Sequence, residues 1–237
     1  MPRDVGAIVV AAGRGVRLGS ETPKQYLPIG GVPILLWALR PFSSHPDVSQ
    51  VVLVLPAGDA AHPPAFLSAG SSTSSPGLGD LTIVPGGTHR GDSVRAGLAA
   101  LGPECSCVLV HDGARPFVDR RTIDAIIRYA RQGESAVPGV LLADTLKEVS
   151  REDPTRIART RPRARLWRAQ TPQGFPRAVL EQAHIRAARA RRRATDDAAL
   201  VEAMGLPVRL VPDFSNNIKI TTREDLALAE LLAGSMR

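Results

Sequence analysis

Aromatic side chains are scarce in this sequence and make up only 4% of its 237 residues. The core must therefore be built mainly from Val, Leu, Ile and Ala, for which a hydrophobic content of 43% is sufficient. Proteins that bind single-stranded nucleic acid stack bases on aromatic side chains, and this sequence has neither such a platform nor a recognised nucleic-acid module. We therefore expect no nucleic-acid partner.

Cysteine is equally scarce, and Cys105 and Cys107 lie too close in sequence to staple a fold. Their spacing predicts that both lie on one face of a strand. A metal site there would need further ligands, and His111 is the nearest candidate. Two unpaired thiols are typical of a reducing cytoplasm, which is the location we expect.

Long hydrophobic runs are also missing. No stretch reaches the roughly 18 consecutive apolar residues of a membrane span, so we expect no membrane partner. Asp4 interrupts the apolar stretch near the start of the sequence, and we therefore expect no signal peptide.

Basic charge, by contrast, is plentiful. The 30 Lys and Arg exceed the 23 Asp and Glu and give a net charge of +7. Much of this excess is local, in residues 151–168 and 186–193. Such a balance favours anionic partners, which include nucleotides, sugar phosphates and nucleic acids.

A glycine-rich loop, AAGRGVRLGSETPKQYLPIGG, occupies residues 11–31. It follows a β-branched run, residues 5–10, that is typical of a buried parallel strand. Its glycines allow a tight turn whose N–H groups can face an anion, and Arg14, Arg17 and Lys24 add three cations. Strand, basic loop and the helix that Pro33 opens together predict a phosphate-binding site.

This loop matches neither standard nucleotide fingerprint. A P-loop requires Gly-Lys followed by Ser or Thr, which the loop lacks. The dinucleotide fingerprint is broken because Leu18 stands where its third glycine belongs. A nicotinamide-linked dehydrogenase is therefore a weak alternative.

The rest of the chain alternates between strand and helix patterns. Strands are predicted over 50–55, 81–84, 108–110, 136–142 (broken by Pro138-Gly139) and 208–211 (extended over 217–220); helices are predicted over 65–69, 89–101 (capped by Asp92 or Ser93), 122–131, 176–190, 195–204 (capped by 195–197) and 224–232. This alternation predicts one α/β domain over residues 1–237, with a doubly wound, mostly parallel, Rossmann-like sheet. The polar loops after the first, third and fourth strands should then meet in one crevice, at the carboxyl ends of the strands.

One segment, residues 144–167, departs from this alternation. Residues 145–149 and 156–160 alternate loosely around a turn at 152–154, which predicts a β-hairpin too polar for the core. Because an isolated hairpin is only marginally stable, we predict that residues 144–166 form a protruding β-arm that makes a homodimer. A solvated flap is the alternative.

Five motifs together resemble the 2-C-methyl-D-erythritol 4-phosphate cytidylyltransferase family of the non-mevalonate isoprenoid pathway. They are the glycine-rich loop, GGTHRGDSV (86–94), VHDGARPFV (110–118), the arm with ADTLKEV (143–149) and the TPQGF (171–175) that follows it, and NNIKIT (216–221), and they span nearly the whole chain. The resemblance implies a nucleotidyltransferase that converts CTP and methylerythritol phosphate to CDP-methylerythritol and pyrophosphate. It implies direct in-line attack, and a magnesium ion or another divalent cation as cofactor.

The resemblance also implies roles for individual residues. Contacts with the triphosphate and the pentavalent transition state are implied for Arg17, Lys24 and Lys219. Nucleotide binding is implied for Ala11, Ala12, Gly13, Gly15, Gly87, Ser93, Asp112 and Gly113, and Asp112 is also the implied magnesium ligand. Binding of the sugar phosphate is implied for Arg115, Asp144, Thr145, Arg163, Thr171 and Thr195. If the arm swaps across a dimer, its residues serve the other subunit's site.

Two alternatives stay open at this point. A cytidylyltransferase acting on ribitol 5-phosphate or another polyol phosphate would share the fold and the nucleotide site. A non-catalytic nucleic-acid-binding protein would account for the basic charge alone.

Overall fold

The structure is a computed structural model, and it describes residues 3–13, 22–68 and 81–235. The strands are β1 (Val5–Val10), β2 (Pro28–Ile29), β3 (Val32–Pro33), β4 (Val48–Leu55), β5 (Leu81–Pro85), β6 (Cys107–Asp112), β7 (Ser135–Leu141), β8 (Leu146–Val149), β9 (Ile157–Arg161), β10 (Trp167–Ala169), β11 (Gln173–Pro176) and β12 (Val208–Pro212). The helices are α1 (Ile34–Ser43), α2 (Ala57–Ala61), α3 (Ala65–Ser68), α4 (Arg90–Ala100), α5 (Arg120–Arg131), α6 (Arg177–Arg189), α7 (Ala198–Glu202) and α8 (Arg223–Ser235). None of these helices is both long and apolar enough to span a membrane.

Eight of the described strands form one mostly parallel sheet. Strand β1 pairs in parallel with β4 and β6, and β4 pairs in parallel with β5. On the other side, β11 runs antiparallel to both β6 and β7, and β12 runs parallel to β7. The central strands therefore end together at one edge, which places the loops after β1, β5 and β6 close to one another.

Helices cover both faces of this sheet. Ala7 and Val9 of β1 belong to a buried cluster that includes residues of α1 and α5, whereas Ile8 belongs to a second cluster with residues of α4 and α6. Alternate side chains of one strand are buried on opposite faces, as expected for a parallel sheet with two helical layers. The predicted doubly wound α/β fold is confirmed.

Two predictions about the strands were wrong. Strand β7 continues through Pro138 and Gly139: the Pro138 carbonyl accepts a hydrogen bond from the Gln170 N–H at 2.7 Å, and a Cβ on Gly139 would lie 3.2 Å from the Arg168 carbonyl oxygen. Close backbone approach therefore accounts for the glycine. Residues 217–220 are not a strand, and the Ile220 N–H donates a hydrogen bond to the Ala114 carbonyl at 2.9 Å.

The two cysteines are buried thiols on different sides of the sheet, not on one face as predicted. Cys107 begins β6 and packs in the cluster that contains Ala7, while Cys105 precedes the strand and packs with Ile8. The period-two argument failed because Cys105 is not part of the strand.

The hairpin predicted near residue 150 is present outside the main sheet. Strands β8 and β9 pair only with each other within the described structure, with Leu146 opposite Arg161 and Val149 opposite Ile157. Every residue of β9 is exposed, including Ile157, whose exposed fraction is 60%.

Candidate active site

A cleft of about 220 Å³ opens at the carboxyl ends of the central strands. Its lining comes from the loop after β1, the loop between β5 and α4, the end of β6, and the segment before α8. The lining residues are Val10, Ala11, Ala12, Gly13, Lys24, Gln25, Gly87, Thr88, His89, Arg90, Ser93, Asp112, Gly113, Ala114 and Lys219. The predicted convergence of three polar loops on one crevice is confirmed. Arg17 and Gly15 lie outside the described residues.

Glycines let the walls of this cleft approach one another closely. A Cβ on Gly86 would lie 2.4 Å from the Ala12 Cβ, and one on Gly113 would lie 2.9 Å from the Ala11 Cβ. These separations leave no room for a side chain. Ala11 and Ala12 therefore pack directly against the backbone at Gly113 and Gly86, respectively.

The loop between β5 and α4 is held by two side chains. The Ser93 hydroxyl accepts a hydrogen bond from the Gly87 N–H at 3.2 Å, and Asp92 accepts one from the His89 N–H at 3.0 Å. The N-cap of α4 is His89, with Asp92 as the third residue of a capping box, rather than Asp92 or Ser93 as predicted. Ser93 is only 2% exposed, so it orients the Gly87 backbone within the cleft wall.

The Asp112 carboxylate, at the end of β6, lies among three cations. Lys219 Nζ donates to Oδ2 at 2.8 Å and Arg90 Nε donates to Oδ1 at 3.3 Å, while Arg115 Nε lies 3.8 Å from Oδ2. Burial alone would raise the pKa of Asp112, but Arg90, Lys219 and Arg115 together hold it well below its usual value. Asp112 is therefore ionised at neutral pH.

The two predicted lysines meet at the mouth of the cleft. Lys24 Nζ donates to the Ile220 carbonyl at 3.1 Å, next to Lys219 in sequence. Ile220 is fully buried against α8, which leaves the Lys219 side chain 42% exposed on the cleft side. Beside Lys24, the buried Gln25 amide donates to the Ala11 carbonyl at 3.2 Å and fixes the start of the glycine-rich loop.

Thr171 makes its side-chain hydrogen bonds inside the protein. Its hydroxyl accepts a hydrogen bond from the Asp112 N–H at 3.0 Å and contacts His111 Nδ1 at 3.0 Å, and it is only 4% exposed. Since the Arg115 carbonyl 2.9 Å from His111 Nε2 can only accept, Nε2 carries the ring proton, and the Thr171 hydroxyl donates to Nδ1. Thr171 therefore positions the end of β6 from behind the cleft.

Arg115 is likewise held by the fold. Its Nη1 donates to the Asn217 carbonyl at 2.7 Å, and its side chain is only 11% exposed. Asn217 is itself buried, and its amide donates to the Thr171 carbonyl at 2.9 Å. Arg115 thus links the end of β6 to the segment that carries Lys219.

The other predicted sugar-phosphate residues are exposed and do not line the cleft in one copy of the chain. Asp144 and Thr145 precede β8. Arg163 lies in the loop after β9 and donates a hydrogen bond to the Ala143 carbonyl. Thr195 is exposed before α7. The structure thus brings together the predicted nucleotide residues that it describes, and leaves this group apart.

The sequence reasoning missed Arg90 and Asp197. Arg90 Nη1 donates to Asp197 Oδ2 at 2.6 Å, and Asp197 is buried at the start of α7. The prediction that the 195–197 stretch caps this helix is confirmed by Asp196, which accepts from the Ala199 N–H at 3.1 Å, whereas the Asp197 side chain makes no capping bond. The sequence signal that could have revealed this ion pair was the acidic pair Asp196-Asp197 in TDDA, considered together with Arg90 in THRGD.

A magnesium ion would have Asp112 as its protein ligand here. The described residues contain no group of three or more His, Cys, Asp or Glu side chains able to hold a metal ion by themselves. This fits magnesium, which usually takes one or two carboxylates and completes its shell with phosphates and water. The Asp112 carboxylate faces the cleft, and its partner Lys219 is on a flexible, half-exposed stem.

The fold and the cleft define an α/β protein whose candidate ligand site lies at the carboxyl ends of its parallel strands. The sequence profile described as 2-C-methyl-D-erythritol 4-phosphate cytidylyltransferase matches residues 5–235. The curated protein of that name from Streptomyces coelicolor is 44% identical, over 100% of this chain and 87% of its own length. The chain therefore belongs to the 2-C-methyl-D-erythritol 4-phosphate cytidylyltransferase family and is a nucleotidyltransferase.

Solved structures agree with this assignment. The crystal structure of the enzyme of that name from Thermus thermophilus has a TM-score of 0.76 and 35% identity, covering 96% of this chain and 98% of its own. A bifunctional IspD/IspF enzyme from Rhodospirillum rubrum is 44% identical, and the match covers 96% of this chain and 56% of that protein. That protein therefore extends well beyond the region that matches this chain.

Proposed function

We propose that the cleft joins CTP to 2-C-methyl-D-erythritol 4-phosphate, giving CDP-methylerythritol and pyrophosphate. The observation that supports this most directly is the pair of lysines, Lys24 and Lys219, in the lining of the cleft. The reaction joins two anions, so its rate depends on cations that hold both and stabilise the added charge. These lysines are suited to that work.

The attack is direct and in line. The phosphate of the sugar is already ionised at neutral pH, so its oxygen can attack the α-phosphorus of CTP without a strong general base. Arg17, Lys24 and Lys219 contact the triphosphate and stabilise the pentavalent transition state. Lys219 exchanges its contact with Asp112 for a phosphate oxygen as the nucleotide binds.

The base and ribose lie against the glycine walls. Ala11, Ala12, Gly13 and Gly15 flank the nucleotide on one side, and Gly87 and Ser93 on the other, while Asp112 and Gly113 contact the ribose. A magnesium ion held by Asp112 supplies Lewis-acid stabilisation of the triphosphate charge when it is bound.

The sugar phosphate is bound by residues from two copies of the chain. The hairpin β8–β9 exposes Val149 and Ile157, which pair across it and need cover. A homodimer through residues 144–166 covers this apolar pair and carries Asp144, Thr145 and Arg163 to the other subunit's site. Arg115, Thr171 and Thr195 complete the sugar-phosphate site. The two unpaired, buried thiols suit a cytoplasmic location.

The experiment is pyrophosphate release with CTP and magnesium, measured in parallel with methylerythritol phosphate and ribitol 5-phosphate. Release with methylerythritol phosphate alone is the expected result. Release with ribitol 5-phosphate alone would keep the nucleotide site and refute the assigned sugar. If the protein is a folded dimer and releases no pyrophosphate with either sugar phosphate, the proposed activity is refuted.

A further inference from the structure

Arg90 connects two buried carboxylates that come from different parts of the fold. Its Nε donates to Asp112 Oδ1 at 3.3 Å, and its Nη1 donates to Asp197 Oδ2 at 2.6 Å. Asp112 ends β6, Asp197 is the N-cap residue directly before α7, and Arg90 is the first residue of α4. One guanidinium group therefore links three elements around the cleft.

The Asp197 end of this bridge is anchored independently of the cleft. Its Oδ1 accepts a hydrogen bond from His184 Nε2 at 2.9 Å, and its backbone N–H donates to the Gln173 side chain at 3.1 Å. Its side chain is only 1% exposed. Burial alone would raise the pKa of Asp197, but His184 and Arg90 lower it, so Asp197 is a fixed anion.

The Asp112 end faces the cleft, where Lys219 holds the other carboxylate oxygen. A planar guanidinium can bind one carboxylate with two parallel hydrogen bonds. Arg90 instead divides its contacts between two carboxylates: Nη1 binds Asp197 and Nε binds Asp112 Oδ1, while Lys219 holds Asp112 Oδ2 on the cleft side. The bridge therefore sets the orientation of the Asp112 carboxylate.

We infer that Arg90 is a positioning residue of this active site, and that Asp197 sets its geometry so that the Asp112 carboxylate is oriented toward the bound nucleotide or its metal. This inference rests on the proposed cytidylyltransferase activity for its kinetic test. Neither Arg90 nor Asp197 needs to touch the reacting atoms. Their effect passes through Asp112.

The chain offers a matched control in Arg131. It also joins two carboxylates, with Nη2 to Asp4 at 2.5 Å and Nη1 to Asp47 at 3.0 Å, and its side-chain exposure of 22% is close to the 24% of Arg90. It does not line the cleft. Arg131→Gln therefore removes a comparable ion-pair bridge without touching the active site.

The test is a double-mutant cycle between Arg90→Gln and Asp112→Asn, with Arg131→Gln measured beside it. Arg90→Gln alone should lower kcat/KM for CTP by at least about tenfold, since a misplacement of about 1 Å in an active site can cost 100-fold. In the Asp112→Asn background the same change should cost less than about threefold, because coupled residues are not additive. Arg131→Gln should lower thermal stability without a comparable loss of kcat/KM.

Two results would overturn the inference. One is an equal loss from Arg90→Gln in both backgrounds, and the other is an equal loss from Arg131→Gln. If Arg90→Gln does not fold, Arg90→Lys enters the same cycle, because it keeps the charge but cannot bridge two carboxylates in this way. If the wild-type protein releases no pyrophosphate, the proposed function fails by itself, and the same cycle on the CTP dissociation constant decides the inference.

Discussion

His111 makes the stability of this protein sensitive to mild acid. Its ring is fully buried at the end of β6, with Nε2 2.9 Å from the Arg115 carbonyl and Nδ1 3.0 Å from the Thr171 hydroxyl. The carbonyl can only accept, so Nε2 carries the proton and Nδ1 accepts from Thr171. A second proton on Nδ1 would face an oxygen already bonded to the Asp112 N–H. Burial lowers the pKa of His111 from 6.5 to about 4.

The sign and size of the effect follow from this difference. Between pH 6.5 and 4 the unfolded chain binds a proton at this ring and the folded protein does not, so acidification favours unfolding. Stability from this group is fully present above pH 6.5 and is lost as the pH falls toward 4. The difference between the two pKa values corresponds to a loss of about 3 kcal/mol by pH 4.

Urea unfolding from pH 7.5 to pH 4, in metal-free buffer, measures this loss. The variant His111→Gln removes the titrating group, and carboxylates and other histidines cancel in the difference between the two proteins. That difference should shrink by about 3 kcal/mol across the range. A constant difference would refute the reasoning, as would a His111 ring that titrates near 6.5 by NMR in the folded protein.

Three further predictions concern the loops, the arm and the walls of the cleft. Lys24→Ala should lower kcat by about 100-fold with only a small change in CTP affinity, because its charge acts mainly in the transition state; near-normal turnover would remove it from that role. Replacing residues 146–161 by two glycines, which the pairing of their ends allows, should give an inactive monomer by light scattering and activity assay; an active monomer would contradict the shared site. Gly86→Ala should destabilise the protein by about 1–3 kcal/mol and weaken CTP binding, because the new Cβ would clash with Ala12. Gly91→Ala on α4 is the control: the space around this position is open, so the change should stabilise the protein by about 0.5–1 kcal/mol. Equal unfolding midpoints for the two glycine variants would contradict the steric account.

Hydrophobic patterns predicted the strands and helices well because each is a local signal. The apolar runs of β4 and β6 and the stripe of α5 carry their own period, and the structure has all three. Residues 217–220 were predicted as a strand from the same alternation. In the structure they are not part of a strand: the Ile220 N–H donates to the Ala114 carbonyl in the loop after β6, and no local pattern encodes that distant partner.

The sequence could predict where the cleft lies, but not the network of ion pairs in it. Loops that follow parallel strands must meet at one edge, so Gly13, Gly87 and Asp112 could be grouped from the sequence. The bridge from Asp112 through Arg90 to Asp197 could not. It joins residues up to 107 positions apart, and its geometry depends on where α7 packs.

Arg115 and Thr171 show how a motif can identify a position without identifying which of its atoms act. Family resemblance implies that both bind the sugar phosphate, yet the Thr171 hydroxyl is bonded to the Asp112 N–H, and Arg115 is bonded to the Asn217 carbonyl. In one copy of the chain both therefore hold other parts of the site. The Asp112 carboxylate also has a structural role, because its negative charge keeps the cations Arg90, Arg115 and Lys219 close together before any ligand is present. Three like charges would otherwise repel one another. We expect the incoming triphosphate to take over that balancing role, which leaves Lys219, the most exposed of the three side chains, as the one that moves.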